Sequence, residues 1–480
     1  MLHSARHRPA PSIGTLSLLG LALWAFGDRA TAQDWPHWRG PHYDGSTTAS
    51  DLPLEFDQER GVRWRAALPG PAASTPIVVG DRIYLTSVDD EREVLVALCL
   101  DRTNGKVRWS RDAGSGYGAD GGSRVRGGRR SNYASPSPTT DGERVVFFFG
   151  NGDLVAYDVE GEPLWQRNIQ ADYGDFAFQW TFSASPTLWE DKVFLPVLQR
   201  DQPVGGGRRR GGGRRQHGGP AQDPVDASDG ASRSFESFVL GIDPRTGETT
   251  FRHVRPSPAR MESLESYATM IPHVTPEGRK ELVLAGGDVL TGHDPANGDE
   301  LWRWGTWNPA HRQRAWRLVP SAVLGAGMAL VCAPKRAPAF AVQLGGTGDL
   351  GDDALAWQSE GRPNPVSSDV PTPAFADGHF YVLSDVHHAL SKVTAGDGTV
   401  AWTTELSGDA LWRASPTVAD GKVWCINHHG EVVVVAAADG SILHQAAMAG
   451  PDDDQIRSSI VIAHGDVYIR TNDALFCIGG

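Results

Sequence analysis

Asp101-Arg102-Thr103-Asn104-Gly105-Lys106-Val107-Arg108-Trp109 is the stretch on which the fold turns. A polar turn closes on a glycine, and an aromatic residue follows four positions later. Asp294-Pro295-Ala296-Asn297-Gly298 leads in the same way to Trp302, and Asp243-Pro244-Arg245-Thr246-Gly247 to Phe251. Asp397-Gly398 leads to Trp402 and Glu160-Gly161 to Trp165, while Trp357 is the counterpart in a diverged unit. The turn needs a positive φ, which Gly supplies without steric cost. The tryptophan at the end of an outer strand can plug the gap to a neighbouring sheet, its N–H reaching a turn carbonyl.

A second motif marks the start of each unit. A small residue and a proline precede a short apolar strand at Thr75-Pro76, Ser135-Pro136, Ser185-Pro186, Ile271-Pro272, Val319-Pro320, Thr372-Pro373 and Ser415-Pro416, with a degenerate copy at Ser458-Ser459-Ile460. The closest copies are 43 residues apart, which suits a four-stranded propeller blade of about 40–45 residues. Gly-Asp or Asp-Gly turns follow, as at Gly80-Asp81, Asp377-Gly378 and Asp420-Gly421, and join the first two strands as tight hairpins. The pattern predicts an all-β, eight-bladed β-propeller over residues 62–480. The last unit runs out after three strands. Gly61-Val62-Arg63-Trp64-Arg65 resembles Gly105-Lys106-Val107-Arg108-Trp109, so a strand from the N-terminus is expected to complete that blade. Trp64, Trp109, Trp165, Trp302, Trp357 and Trp402 are the expected docking residues.

This repeat resembles the tryptophan-docking repeat of the PQQ-like β-propeller superfamily, which includes quinoprotein dehydrogenases and BamB-like outer-membrane assembly factors. Residues 33–61 form a Trp-rich segment. Its Trp35-Pro36-His37-Trp38-Arg39-Gly40-Pro41-His42-Tyr43-Asp44-Gly45 is similar to the opening found before such propellers in exported bacterial proteins of planctomycete type. Trp35 and Trp38 are expected to pack on the propeller.

Composition agrees with many short strands and tight turns: 56 Gly, 32 Pro and 16 Trp in 480 residues. A net charge of −13 argues against a nucleic-acid partner. Arg6, His7 and Arg8, the apolar run from Ile13 to Phe26, and Ala30-Thr31-Ala32 read as a signal peptide over residues 1–32. Cleavage near Ala32 would send the chain to the periplasm or the extracellular space. No later stretch is apolar enough to span a bilayer. Cys99, Cys332, Cys425 and Cys477 stand singly, with no zinc or haem spacing; disulfides or buried free thiols remain open. Residues 202–233 are Gly/Arg-rich and read as a mobile insert in the third blade, either a solvated loop or a polyanion-binding one.

Residues just before the inner strands should line the channel mouth. Trp316-Arg317-Leu318-Val319-Pro320 aligns with Trp412-Arg413-Ala414-Ser415-Pro416, and Ile456-Arg457-Ser458-Ser459-Ile460 follows. Arg317, Arg413 and Arg457 thus take equivalent places in blades five, seven and eight. With Trp316, Trp412 and Asp369 they define a funnel for an anion or polyol. The alternative is that the arginines pair with Asp369, Asp454 and carbonyls and simply close the ring. His387-His388 and His428-His429 lie in corresponding hairpins, but no third ligand completes a metal set.

Three functions compete. One is a non-catalytic exported binding or scaffold propeller, BamB-like, holding a protein partner, glycan or anionic ligand on one face, most simply as a monomer. Another is a diverged quinoprotein dehydrogenase. The resemblance would then imply PQQ at the channel mouth, calcium, an Asp base, for which Asp369 qualifies by position alone, and in alcohol dehydrogenases a pair of adjacent cysteines. The third is a carbohydrate-binding propeller. The adjacent cysteines and a legible calcium set are missing, and neither a catalytic residue nor a metal ligand is assigned. The binding reading is therefore preferred, with no cofactor.

Overall fold

The computed structural model describes residues 1, 34–116, 132–202, 204, 235–305 and 307–479. All but the first residue of the leader read as a signal peptide, and nearly all of the Gly/Arg-rich insert, lie outside them. Eight antiparallel sheets follow one another around a closed ring. Their inner strands are Ile77–Val79, Thr139–Thr140, Thr187–Trp189, Ile271–Val274, Val323–Gly325, Ala374–Ala376, Thr417–Ala419 and Val461–Ala463, and these define blades one to eight. The first blade continues outward through Arg82–Asp89, Val94–Asp101 and Val107–Ser115.

Burial follows radial position. The third strand of blade one, Val94–Asp101, is buried over six consecutive residues, because both its faces meet neighbouring blades. The outer strand of blade six, Val400–Glu405, alternates exposed and half-buried residues, as an edge must. The core is accordingly a set of clusters between blades. Ile426, Val432 and Val434 of blade seven pack with Ile460, Val467 and Ile469 of blade eight.

The eighth sheet is ordered Val62–Ala67, Ala474–Ile478, Asp466–Arg470, Val461–Ala463. The strand nearest the N-terminus is thus the outer strand of the sheet that otherwise ends the chain, Ala67 pairing with Ala474 and Trp64 with Cys477. Blade four departs from the expected four strands. Gly348–Leu350, from a loop within blade five, adds to its outer strand Glu300–Trp304 in parallel.

The tryptophans tie blade to blade in one rotational sense. Trp109 Nε1 donates to Val159 O at 3.1 Å, Trp165 to Pro244 O at 2.8 Å, Trp357 to Ala395 O at 2.7 Å and Trp402 to Ala437 O at 3.2 Å. Each acceptor lies in the next blade. Trp64 does the same across the seam, donating to Arg102 O at 2.9 Å. A Cβ on Gly105 would lie 2.5 Å from the Trp64 ring, so the turn glycine is what lets that ring settle. Trp302 corrects the expected pattern: its N–H goes to Glu281 Oε2 of its own blade at 3.0 Å. The outer connection of blade five carries the parallel strand at 348–350, and none of its glycines has the Trp302 ring as a near neighbour.

Candidate functional site

The approach to each inner strand is extended, so alternate residues face the axis. The hydroxyl residue two positions before each inner strand is part of a closed hydrogen-bonded ring. Thr75 N donates to Ser137 Oγ (2.9 Å), Ser137 N to Ser185 Oγ (3.0 Å), Ser185 N to Thr269 Oγ1 (3.0 Å) and Thr269 N to Ser321 Oγ (2.9 Å). Ser321 N donates to Thr372 Oγ1 (2.9 Å), Thr372 N to Ser415 Oγ (3.0 Å), Ser415 N to Ser459 Oγ (3.2 Å) and Ser459 N to Thr75 Oγ1 (3.2 Å). The last bond joins blade eight to blade one. This girdle places Ser137, Thr269 and Ser321 at the repeat positions that the Ser-Pro reading gave to Ser135, Ile271 and Val319. The hydroxyl, not the proline, is the element that recurs.

Two residues further from the strands stand Ser135, Ser183, Tyr267, Val319, Arg413 and Arg457, which line one axial cavity of about 120 Å³ together with the girdle. Above it, a space of about 170 Å³ is bounded by Trp180, Thr181, Tyr267, Arg317, Leu411, Arg413 and Arg457. The two share Tyr267, Arg413 and Arg457, so they are successive levels of one lumen. The three arginines do converge, but not at equivalent places. Arg413 and Arg457 lie four residues before their inner strands, and Arg317 lies six before Val323. The offset is two residues, so the face is kept and only the height changes.

Trp412 and Trp316 are not part of this lining. Trp412 is fully buried in the cluster between blades six and seven. Trp316 packs against the apolar cluster of blades four and five, and its backbone N–H donates to Ser263 Oγ at 2.9 Å. Each directly precedes an arginine in extended chain, and adjacent residues there point to opposite sides. Trp180 and Tyr267 supply the aromatic faces instead.

The electrostatics are built in pairs. Arg317 Nη2 lies 3.3 Å from Asp369 Oδ2, and its Nε lies 3.8 Å from Glu262. Arg413 Nε lies 3.4 Å from Asp385 Oδ2. Asp369 also accepts from Lys335 N at 2.8 Å, and Asp385 from Asp369 N at 3.0 Å. Burial raises the Asp385 carboxyl above its usual range. Glu265, wholly buried, pairs with Arg200 and accepts from Tyr267 Oη at 2.7 Å; burial raises its carboxyl as well. Asp369 and Asp385 are thus paired with lining arginines, and Glu265 with the lining Tyr267. Among the described residues, no Asp or Glu lines either level of the lumen, whereas three guanidinium groups do.

The far end is crossed by the N-terminal segment. Trp35 pairs with Val78 of blade one, and His37 Nδ1 is 2.9 Å from Thr139 Oγ1 of blade two. Tyr43 Oη donates to Leu188 O of blade three at 2.8 Å. Phe375 N of blade six donates to Asp44 O, and Val418 N of blade seven to Gly45 O. Arg39 is buried, its Nη2 bonded to Pro373 O (2.8 Å) and Pro416 O (3.1 Å). Trp38 lines the lumen from below. The segment is thus tied to five blades and supplies Trp38 to the floor of this axial cup.

The four cysteines are buried free thiols, and burial pushes each up to about 12. His388 Nδ1 contacts Gly408 O at 3.2 Å. Among the described residues no three His, Cys, Asp or Glu side chains are grouped to hold a metal ion.

Eight sheets around an axial cup, tied blade to blade by indole N–H groups, define a propeller of the PQQ-repeat class. The chain belongs to the family described as outer membrane protein assembly factor BamB, whose model matches residues 30–199 and 347–475, more than half of the sequence. Among solved structures it is similar to BamB from Moraxella catarrhalis, at 11% identity and a TM-score of 0.54, covering 89% of this chain and 99% of that one. It is also similar to the quinohemoprotein alcohol dehydrogenase from Comamonas testosteroni, at 13% identity and a TM-score of 0.59, covering 94% and 81%. A europium-containing methanol dehydrogenase aligns at 12% identity and a TM-score of 0.61, covering 92% and 90%. At these identities the likeness is one of fold. A polyvinylalcohol dehydrogenase from Pseudomonas sp is 25% identical over 179 residues, 35% of this chain. That alignment spans only 24% of the relative's length.

The dehydrogenase relatives raise the question of a quinone with a metal ion. The carboxylates Asp369 and Glu262 are engaged by Arg317, Asp385 by Arg413 and Glu265 by Arg200. A calcium ion needs several oxygen ligands turned toward one point, and among the described residues the lumen is lined by guanidiniums, hydroxyls and aromatic or aliphatic side chains, with no carboxylate. The donor set does not fit a metal–quinone pair.

Proposed function

We propose that this chain is an exported, non-catalytic binding propeller that holds an anionic ligand in its axial cup. One observation carries the reading: among the described residues, three arginines from three blades line the lumen and no carboxylate does. Guanidinium forks recognise carboxylate and phosphate groups, and Trp180 and Tyr267 offer faces for a planar or apolar body. The family supports a role in holding a partner. The basic and apolar leader ending at Ala30-Thr31-Ala32 supports a periplasmic or extracellular site of action. Among the described residues no helix is long and apolar enough to cross a membrane.

The test is a titration of the mature protein with small organic anions, a neutral oligosaccharide, and PQQ with Ca²⁺, followed by Trp fluorescence. The anion should bind, and Arg413→Gln should weaken it by about tenfold or more. Unchanged affinity in Arg413→Gln refutes the cup as the site. Oligosaccharide binding that ignores this substitution would favour the carbohydrate reading. Tight Ca²⁺-dependent PQQ binding with dye reduction would make the chain a quinoprotein.

A further inference from the structure

The girdle below the arginines has an unused hydrogen-bonding capacity. A hydroxyl carries one O–H donor and two lone pairs. Each girdle oxygen accepts a backbone N–H from the preceding blade, and among the described residues none of the eight donates to a protein acceptor. Accepting a bond polarises the O–H and strengthens it as a donor. The ring thus presents O–H groups around the axis, and six of its members line the cavity. Arg413 stands two residues before Ser415, and Arg457 two before Ser459. Two extended residues rise about 6.5 Å, so a group on the girdle lies within reach of both guanidiniums. A second observation points the same way. Arg39 is 1% exposed, and its Nη2 holds the carbonyls of Pro373 and Pro416, the residues next to girdle members Thr372 and Ser415. Among the described residues its Nε and Nη1 are buried with no hydrogen-bond partner, although the Asp44 carboxylate acts on its charge. A buried cation thus stands behind the girdle, next to the carbonyls that follow Thr372 and Ser415, while Trp38 beside it lines the cavity.

We infer that the girdle is an oxyanion station: the ligand enters end-on, with a compact phosphate, sulfate or carboxylate head on the hydroxyl ring and its body against Trp180 and Tyr267. This deepens the cup reading and rests on it. The head group is held by hydroxyls and the arginines together, so binding should persist at moderate salt, where exposed ion pairs fade.

The experiment titrates the mature protein with inorganic phosphate, inorganic sulfate and an aromatic carboxylate by calorimetry and Trp fluorescence. The variants are Ser185→Ala/Ser415→Ala, Ser185→Thr/Ser415→Thr and Arg413→Gln. Thermal melting checks that each folds. Losing donors to a charged group costs roughly 10–100-fold in affinity. The alanine pair should lose that much for all three probes, and the threonine pair, which restores the hydroxyls, should regain it. Alanine variants that melt lower but bind normally, while Arg413→Gln does not bind, would leave the cup and overturn the girdle. Wild-type protein that takes the aromatic carboxylate but neither inorganic anion would overturn the girdle in the same way. Loss in neither variant would overturn both.

Discussion

Trp64 gives the sharpest test of how the ring is closed. It lies on the strand from the N-terminal side and is 9% exposed. Its ring sits over Gly105, and its N–H donates to Arg102 O, both in blade one. A tryptophan buries about 150–250 Å², which at about 25 cal/mol per Å² sets an upper figure of roughly 4–6 kcal/mol. Truncation of buried aromatics costs about 3–5 kcal/mol. Trp64→Ala should therefore destabilise the propeller by about 3–5 kcal/mol, and Trp64→Phe by about 1–2 kcal/mol, the N–H bond being the main loss. Gly105→Ala should resemble the alanine variant, because the new methyl meets the ring at 2.5 Å on a backbone with φ of +71°. Equilibrium urea unfolding supplies the shift, with a second probe to check that the transition is cooperative. Limited proteolysis around residue 61 reports whether the seam strand has come loose. A Trp64→Ala protein within about 0.5 kcal/mol of wild type, with no new cleavage, would refute the closing role of this strand.

Two further outcomes follow from buried groups. His293 is fully buried, bonded to Gly298 O and Thr291 Oγ1, and desolvation lowers it to about 3. The unfolded chain binds a proton below about pH 6.5 that the folded chain refuses, so stability falls as pH drops from there toward 3, by about 2 kcal/mol at pH 5. A His293→Gln variant should show a flatter urea-midpoint profile over this window; an unchanged slope would contradict it. The four thiols, raised by burial, should resist a thiol reagent in the folded protein and all react after denaturation, whereas labelling of Cys425 or Cys477 under native conditions would show that the blades open locally.

The blades were legible in the sequence because their code is local. A turn glycine and a tryptophan four residues later need only one hairpin to be recognised, and the unit length follows from their recurrence. The seam strand was legible for the same reason, as Val62-Arg63-Trp64 copies Val107-Arg108-Trp109. The parallel strand at 348–350 has no such local signal, since its partner is the preceding blade. The cup was half legible. Arg413 and Arg457 were found by aligning repeats, but the alignment shifted Arg317 by two residues because it followed Val319-Pro320 instead of Ser321. Trp412 looked like a lining residue from its neighbour, and alternation sends it to the core. The girdle escaped because its members change between Ser and Thr and only some precede proline. The plug by Trp38 is a contact between distant parts of the chain, which no local pattern encodes.

The most direct test of the cup is a crystal of the mature protein soaked in tungstate, read by anomalous scattering. The account predicts an anomalous peak on the axis, within hydrogen-bond reach of Arg413 and Arg457 and above the Ser415–Ser459 side of the girdle. Tungstate bound only on the outer surface, with no peak in the lumen of a crystal whose mouth is open to solvent, would contradict it.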